Sequence, residues 1–590
     1  MAIEQQTQSE KTGLQTSMER YNAGDAIMDA LSDMGVTHIF SNFGSDHPAI
    51  IEALAKRKAQ NKKPLKVITC PHEIVTLCAA HGYASVSGQG QAVFVHTDVG
   101  TANLGGTVHN AARSRVPAFI FAGETPFTLE SELPGGRGGP INYLQNVYDQ
   151  RSIVREYVKW EYELRTGANA KQTVYRAMQL AHSEPQGPVY MTAAREVLEQ
   201  DGNSGDALPD RWEPIRKIPL PGNAVEQIVK ALVHAKNPLI VTSYLGRNPD
   251  AVGKLVKFCE KLGVPVLENP KFSLNFPSDH PLHLGYDDMK LIREADVIVV
   301  LDSDLPWEPK ADSRPSNDCQ VFYIDVDPLK EDIPMWYMYA KQLYRADSGE
   351  ALDQLNAYVA AIELNEDQIK ERFDRYTSIH DRQRKEWKEL EKCPEDNRIN
   401  QAYLSACIQK AIPEDAIILN ETITNQLHVQ KHIPRNEPGT YLHNGGSSLG
   451  WSGGAALGAK MAKPDKMVVC LTGDGTYMFS CPSAVHYVSR RYNAPFLTVI
   501  YANQGWNATK INALKLHPDG AAKHNDQLYV NFDQPSDYAK IAEAAGGAYA
   551  ETVEKADELQ EALRRAVEEV KNGRSAVLSV ILPKISNQKD

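Results

Sequence analysis

Two short motifs in the last third of the chain combine residue types that could hold a metal ion: Gly473-Asp474-Gly475 and Asn503-Gln504-Gly505. Asp474 offers a carboxylate oxygen, Asn503 an amide oxygen and Gly505 a main-chain carbonyl. Such a hard oxygen set suits Mg2+, which takes one or two protein oxygens and completes its octahedron with water and phosphate oxygens. Gly473 and Gly475 leave the backbone bare around the single carboxylate, as a bound diphosphate requires. Taken alone, each motif also reads as an ordinary turn. Their setting favours the site. Gly473-Asp474-Gly475 follows an apolar run, Met467–Leu471, and Asn503 follows another, Phe496–Tyr501, with a helical stretch from about Pro482 to Tyr492 between them. The segment has the size of a βαβ unit, whose strands end together at a ligand crevice.

A second set of candidates lies near the start. Pro71-His72-Glu73 follows the apolar run Leu65–Thr69 and leads into Ala79-Ala80-His81-Gly82-Tyr83-Ala84, so Glu73 is expected at a helix N-terminus above a sheet edge. The helix dipole favours a carboxylate there, and a capping acid is the plain alternative to a chemical role. His96 ends the run Gln91–Val95, just before Asp98-Val99-Gly100-Thr101. An imidazole titrates near neutrality and suits proton transfer; a hydrogen-bonded histidine at a strand end is the alternative. Ser45, Asp46 and His47 fill the loop after the strand Thr37–Ser41, and Asp46 or His47 could cap a helix over Pro48–Arg57.

These residues need a scaffold of several domains, because 590 residues exceed what one hydrophobic core supports. A hydrophobic fraction of 42% and a charged fraction of 23% describe an ordinary globular protein. The net charge of −12 argues against a nucleic-acid partner, which needs a basic field. No apolar run approaches the ~18 residues that span a bilayer, so no membrane partner is expected. The polar start is no signal sequence, and a cytoplasmic location is expected. The eight cysteines form no CxxC pair, which gives no sign of a zinc site or a disulfide framework.

Apolar strands alternate with amphipathic helical stretches in three blocks, which predicts an α/β protein of three doubly wound parallel-sheet domains. Residues 1–18 are expected to be disordered, and the first domain to cover 19–200. A Pro- and Gly-bearing linker follows at 201–221, then a central domain at 222–365 with no Gly-x-Gly-x-x-Gly loop. A charged helical connector at 366–395, expected to be solvated, precedes the last domain at 396–590.

His-Glu followed by Ala-Ala-x-Gly-Tyr-Ala, the run Gly100-Thr101-Ala102-Asn103-Leu104 and the Gly-Asp-Gly to Asn-x-Gly unit together resemble the thiamin diphosphate-dependent decarboxylase and acetohydroxyacid synthase superfamily. The resemblance spans essentially the whole chain, its blocks matching in order the pyrimidine-binding, central and diphosphate-binding domains. It implies thiamin diphosphate and Mg2+ as cofactors. Glu73 matches the glutamate that hydrogen-bonds the aminopyrimidine, and Leu449 the apolar residue that props the cofactor into a bent shape. Asp474, Asn503 and Gly505 match the metal ligands. Gly473, Gly475 and Thr476 lie near the diphosphate, and Thr424, within Asn420-Glu421-Thr422-Ile423-Thr424, belongs to a loop over it. The spacing from Asp474 to Asn503 slightly exceeds the family's usual one, which suggests a small insertion near Tyr477 or the following helix. The family fold also implies a homodimer or homotetramer in which Glu73 of one subunit and Asp474 of its partner serve the same active site.

The resemblance extends to the reaction. After loss of CO2 from a 2-oxo acid, a proton gives an aldehyde and a second carbonyl gives an acyloin. His96 stands where benzoylformate decarboxylase-like members carry a proton-relay histidine, and Glu124 where many relatives have a pocket glutamine. A carboxylate at Glu124 is expected to disfavour an anionic second substrate. Trp506 matches a region that shapes the pocket. The stretch Ala508-Thr509-Lys510-Ile511-Asn512-Ala513 lacks the acetohydroxyacid synthase specificity segment, so FAD is not expected. The expected function is a thiamin diphosphate- and Mg2+-dependent lyase or carboligase acting on small 2-oxo acids, 2-hydroxy ketones or aldehydes. Acetolactate synthesis is the alternative within the class, and a non-catalytic thiamin diphosphate-binding homologue the alternative outside it.

Overall fold

A computed structural model describes residues 20–205, 209–525, 527–532 and 534–584. The segment 1–18 lies outside them. The chain divides into two compact units, one of residues up to Ile215 together with Gly445–Ala462, the other of Arg216–Asn444 and Lys463 onward.

The first unit holds a parallel sheet of β1 (His38–Ser41), β2 (Lys66–Thr69), β3 (Gln91–Val95), β4 (Ala118–Glu124), β5 (Trp160–Glu163) and β6 (Pro188–Ala194), in the order β2-β1-β3-β4-β6-β5. β3 and β6 are buried along their whole length, as continuous apolar runs covered on both faces should be. The order reverses beside β1, and ligands of open α/β sheets bind at the carboxyl ends of strands at such a switch point.

The helix Glu73–Ser87 follows β2 and packs against the helix Trp451–Ala462. Small residues bring the two backbones together. A Cβ on Gly458 would overlap the Ala79 carbonyl, and one on Gly82 would overlap the Ala455 carbonyl. Larger side chains here would have to push the helices apart.

The second unit carries two sheets. One orders β7 (Pro238–Thr242), β8 (Val266–Glu268), β9 (Val297–Leu301), β10 (Gln320–Asp325) and β11 (Gln342–Arg345) as β11-β10-β9-β7-β8. The other orders β12 (Ile417–Glu421), β13 (Tyr441–Leu442), β14 (Val468–Gly473), β15 (Leu497–Ala502), β16 (Tyr549–Val553) and β17 (Ala576–Ile581) as β13-β12-β14-β15-β17-β16. Counted within its own domain, this last sheet repeats the strand order of the first. All the strand pairs in both are parallel.

Two local expectations need correcting. The charged connector is a 24-residue helix, Glu366–Glu389, with one face docked rather than solvated. Its buried Arg372 donates to the carbonyls of Leu232 and Val233 at 3.1 and 2.9 Å, at the C-terminal end of the helix Gly222–His234. A guanidinium there satisfies carbonyls that the helix leaves unpaired, so a charge-rich sequence hides a packing face. The second correction concerns the metal-type motif. A short helix, Asp474–Phe479, starts at Asp474 itself, ahead of the expected helix, which runs from Pro482 to Arg491. Among the described residues no helix is long and apolar enough to cross a membrane.

Candidate functional site

In the first unit the loops after β1 and β3 and the end of β4 converge on one buried carboxylate. Asp46 Oδ1 lies 2.6 Å from His96 Nδ1 and 2.8 Å from His47 Nδ1, while Oδ2 accepts the backbone N–H of Gly123 at 3.0 Å and of Thr97 at 3.3 Å. The cluster depends on two glycines. A Cβ on Gly44 would overlap the His96 ring, and one on Gly123 would overlap the Asp46 carboxylate. Burial by itself would push the Asp46 carboxyl up, but His47 and then His96 outweigh it and hold it well below the usual carboxylate range. The same contact raises His96: the hydrogen bond to Asp46 exceeds the opposing effect of burial, and the Gln145 side chain adds to it. With Asp46 accepting a proton from Nδ1, the edge of the His96 ring available for chemistry is Nε2.

The three sequence candidates in this loop part ways. Asp46 and His47 are buried, whereas Ser45 is exposed and joins the surroundings through its carbonyl, which accepts from Arg195 at 3.3 Å. His47 occupies the N-cap position of the helix Pro48–Ala59, and its side chain makes no capping bond. Thr97, next to His96, has a left-handed φ of 42°, unusual for a β-branched residue and a sign that the surroundings fix it.

Glu73 opens its helix as expected, but the cap is His72, whose Nδ1 accepts from Ile74 N–H at 3.2 Å. The Glu73 carboxylate instead accepts at Oε2 from Asn103 Nδ2 at 3.0 Å, and Oε1 makes no hydrogen bond among the described residues. Asn103 belongs to the Gly-Thr-Ala-Asn run, where its position in a motif was visible and its partner was not. The segment before Leu449 is fixed by the helix Gly105–Arg113. Asn110 bonds both main-chain groups of Ser448, at 2.8 and 2.9 Å, and His109 Nε2 lies 2.9 Å from the Gly446 carbonyl. Leu449 itself is half-buried. Glu124, at the end of β4, accepts from Thr192 Oγ1 at 2.6 Å, and burial raises its pKa.

In the second unit, the loops after β12, β14 and β15 gather a different chemistry. Asp474 Oδ1 accepts from Gly475 N–H at 2.8 Å and Oδ2 from Gln504 N–H at 2.6 Å. Burial raises its pKa against those backbone bonds. Among the described residues no cationic side chain lies within ion-pair distance of it. Asn503 Nδ2 lies 3.4 Å from Thr424 Oγ1, while its buried Oδ1 has no hydrogen-bond partner. A buried carboxylate without a cation and a buried amide oxygen without a donor are what a bound divalent ion would satisfy, so the residues present fit Mg2+. The Gly505 carbonyl accepts one bond, from Asn507 N–H at 3.1 Å, and keeps a second lone pair. Gln504 holds a left-handed φ of 62° between these two groups. Thr476 is buried in the first turns of the short helix, and the Trp506 ring packs edge-on against Phe532 at 5.1 Å while remaining 41% exposed.

Residues 21–153 match the thiamine pyrophosphate enzyme N-terminal TPP binding domain, 225–355 the central domain and 424–580 the C-terminal TPP binding domain. The chain belongs to the thiamine pyrophosphate-dependent enzyme superfamily. It is 23% identical to a probable acetolactate synthase large subunit of Methanococcus aeolicus, over 92% of this chain and 90% of that protein. It is also 23% identical to human 2-hydroxyacyl-CoA lyase 2, over 95% and 90% of the two chains. The solved structure of benzoylformate decarboxylase from Polynucleobacter necessarius shares the fold with a TM-score of 0.77 at 19% identity, over 97% of this chain and 99% of its own.

Proposed function

We propose that the protein is a thiamin diphosphate- and Mg2+-dependent lyase or carboligase that makes or breaks a C–C bond next to a carbonyl, with a 2-oxo acid or 2-hydroxy ketone as substrate. The observation that carries this reading is the buried Asp46–His96 pair at the switch point of a sheet that also presents Glu73. Thiamin diphosphate, when bound, supplies the carbon nucleophile and electron sink for such chemistry. Glu73 binds the aminopyrimidine: Asn103 fixes Oε2, and Oε1 is left for a ring nitrogen. Asp474, Asn503 and the Gly505 carbonyl hold Mg2+, with Gly473, Gly475, Thr476 and Thr424 around the diphosphate and Leu449 against the middle of the cofactor. As the family resemblance implies, Glu73 of one subunit and Asp474 of its partner serve one site.

His96 gives or takes the proton that decides the product, at Nε2. Asp46 holds its other nitrogen and favours the charged form, which raises the pKa of His96. Such positioned acid–base groups contribute roughly 10²–10⁴-fold. Pyruvate condensation to acetolactate is the second reading, favoured by full-length relatives that carry that activity in their names.

The test is a panel of 2-oxo acids, with and without aldehyde acceptors, in the presence of thiamin diphosphate and Mg2+, read for CO2, aldehyde and acyloin. Substrate-dependent release of CO2 or formation of acyloin is expected, with His96→Ala changing the ratio of aldehyde to acyloin. No product from any substrate overturns the reading; an unchanged ratio and rate in His96→Ala removes His96 from it.

A further inference from the structure

A cavity of about 290 Å3 in the first unit lies beside the His96 cluster. Its lining includes Glu124, Arg137, Gln145, Arg151, Glu163 and Arg165. Two of these connect it to the proposed chemistry: Gln145 is the side chain that supports His96, and Glu124 follows Gly123, whose N–H donates to Asp46.

Most charges in the lining are already matched. Arg151 lies 3.4 Å from Glu161 and 3.5 Å from Glu163, and Asp149 lies 2.8 Å from Arg155. Glu124 is held by Thr192, and burial raises its pKa. That leaves Arg137 and Arg165, neither of which has a carboxylate within 4.0 Å among the described residues. Arg137 is also preorganised. Its Nε donates to the Pro126 carbonyl at 2.8 Å and its guanidinium stacks over Tyr143 at 4.6 Å, which leaves its terminal N–H groups free to pair. A planar guanidinium with two parallel donors matches a carboxylate, and two of them in a concave site give a strong preference for an anion.

We infer that this cavity binds a second carboxylate on the substrate or acceptor, remote from the reacting carbonyl, with Arg137 and Arg165 as specificity-determining residues. The inference rests on the proposed function in placing the reacting carbonyl at His96. It departs from the expectation drawn from Glu124 alone, because Arg137 and Arg165 add two guanidiniums to the same lining.

Two measurements test it. The first needs no cofactor: calorimetric titration of the protein with succinate and with succinamide, in which neutral amides replace both carboxylates. Succinate is expected to bind at least about tenfold more tightly, with that advantage lost in Arg137→Gln and Arg165→Gln and partly kept in the lysine variants. The second compares turnover of 2-oxoglutarate with 2-oxopentanoate as donors, and 4-oxobutanoate with butanal as acceptors. At least one pair is expected to favour the anionic member through KM, and the arginine variants to lose that preference while neutral substrates react within about twofold of wild type. Equal binding of succinate and succinamide by wild type, or equal losses for both members of each pair in the variants, overturns the inference. Arginine-dependent succinate binding without turnover of any substrate would uphold the cavity and overturn the proposed reaction; turnover of neutral substrates without any preference for the anion would do the opposite.

Discussion

The first and last sheets share one strand order and carry candidate residues at the same four places, yet the chemistry at those places differs. After the first strand of each sheet come Asp46 and His47 in one and Thr424 in the other; after the second, Glu73 and Leu449. After the third come His96 and Asp474, and after the fourth, Glu124 and Asn503. In the first set the Asp46 carboxylate is fully engaged, with two imidazoles and two backbone donors, while Glu73 has Asn103 at Oε2 and keeps Oε1 open. The second is incomplete, with Asn503 Oδ1 unpartnered and Asp474 lacking a cation. One scaffold thus presents a preassembled carboxylate–imidazole cluster, to which we assign proton transfer, and a set of oxygens that we assign to an ion. The sheet supplies the positions; the loop residues supply the chemistry.

The largest effect is expected on the incomplete side. Asp474→Ala should abolish Mg2+-dependent binding of thiamin diphosphate, a loss of at least about 100-fold in affinity followed by circular dichroism, because Asp474 supplies the one charged oxygen of the proposed ligand set. The same substitution should leave the first cluster intact, so the thermal unfolding of the cofactor-free protein should change little. Next is the packing that ties the second places together. Gly458→Val should lower stability by about 1–3 kcal/mol in denaturant unfolding, because its side chain meets the Ala79 carbonyl on the Glu73 helix.

The preassembled side predicts a pH signature. Asp46 raises the pKa of His96, so Asp46→Asn should move the basic limb of the pH–rate profile to lower pH, with a roughly tenfold fall in kcat. The stability sign follows from the other partner. The folded-state pKa of Asp46 is depressed, so its contribution is present above the unfolded value of about 3.9 and is lost as pH falls. Wild type should therefore exceed Asp46→Asn in stability at neutral pH, and the gap should close in acid. The smallest effect is expected at Glu124: Thr192→Val removes one hydrogen bond to its carboxylate and should raise its pKa further, moving any limb assigned to Glu124 to higher pH with little change in kcat.

Much of this was legible in the sequence, and for definite reasons. The Gly-Asp-Gly and Asn-Gln-Gly motifs end continuous apolar runs, so β14 and β15 and the crevice at their ends follow from local pattern. Glu73 at a helix N-terminus follows from the change of periodicity after Thr69. What escaped depends on residues distant in sequence. That Asp46 rather than Ser45 reaches His96 is decided by clearances at Gly44 and Gly123, which no local pattern records. Asn103 stood in a recognised run, but its bond to Glu73 spans 30 positions. The docked face of Glu366–Glu389 was hidden because its anchors are Arg372 and His380, residues that a sequence reading assigns to solvent. Edge strands such as β5 and β11, partly exposed and polar, gave no apolar run to detect.

The division of labour between the two sheets is tested most directly by hydrogen–deuterium exchange at C2 of bound thiamin diphosphate in Glu73→Gln. The variant is expected to retain Mg2+-dependent binding of the cofactor within about tenfold of wild type, because the metal cradle is untouched, while the exchange rate falls by about 100-fold or more. Exchange as fast as in wild type, with the cofactor bound, would contradict the assignment of proton chemistry to the first sheet.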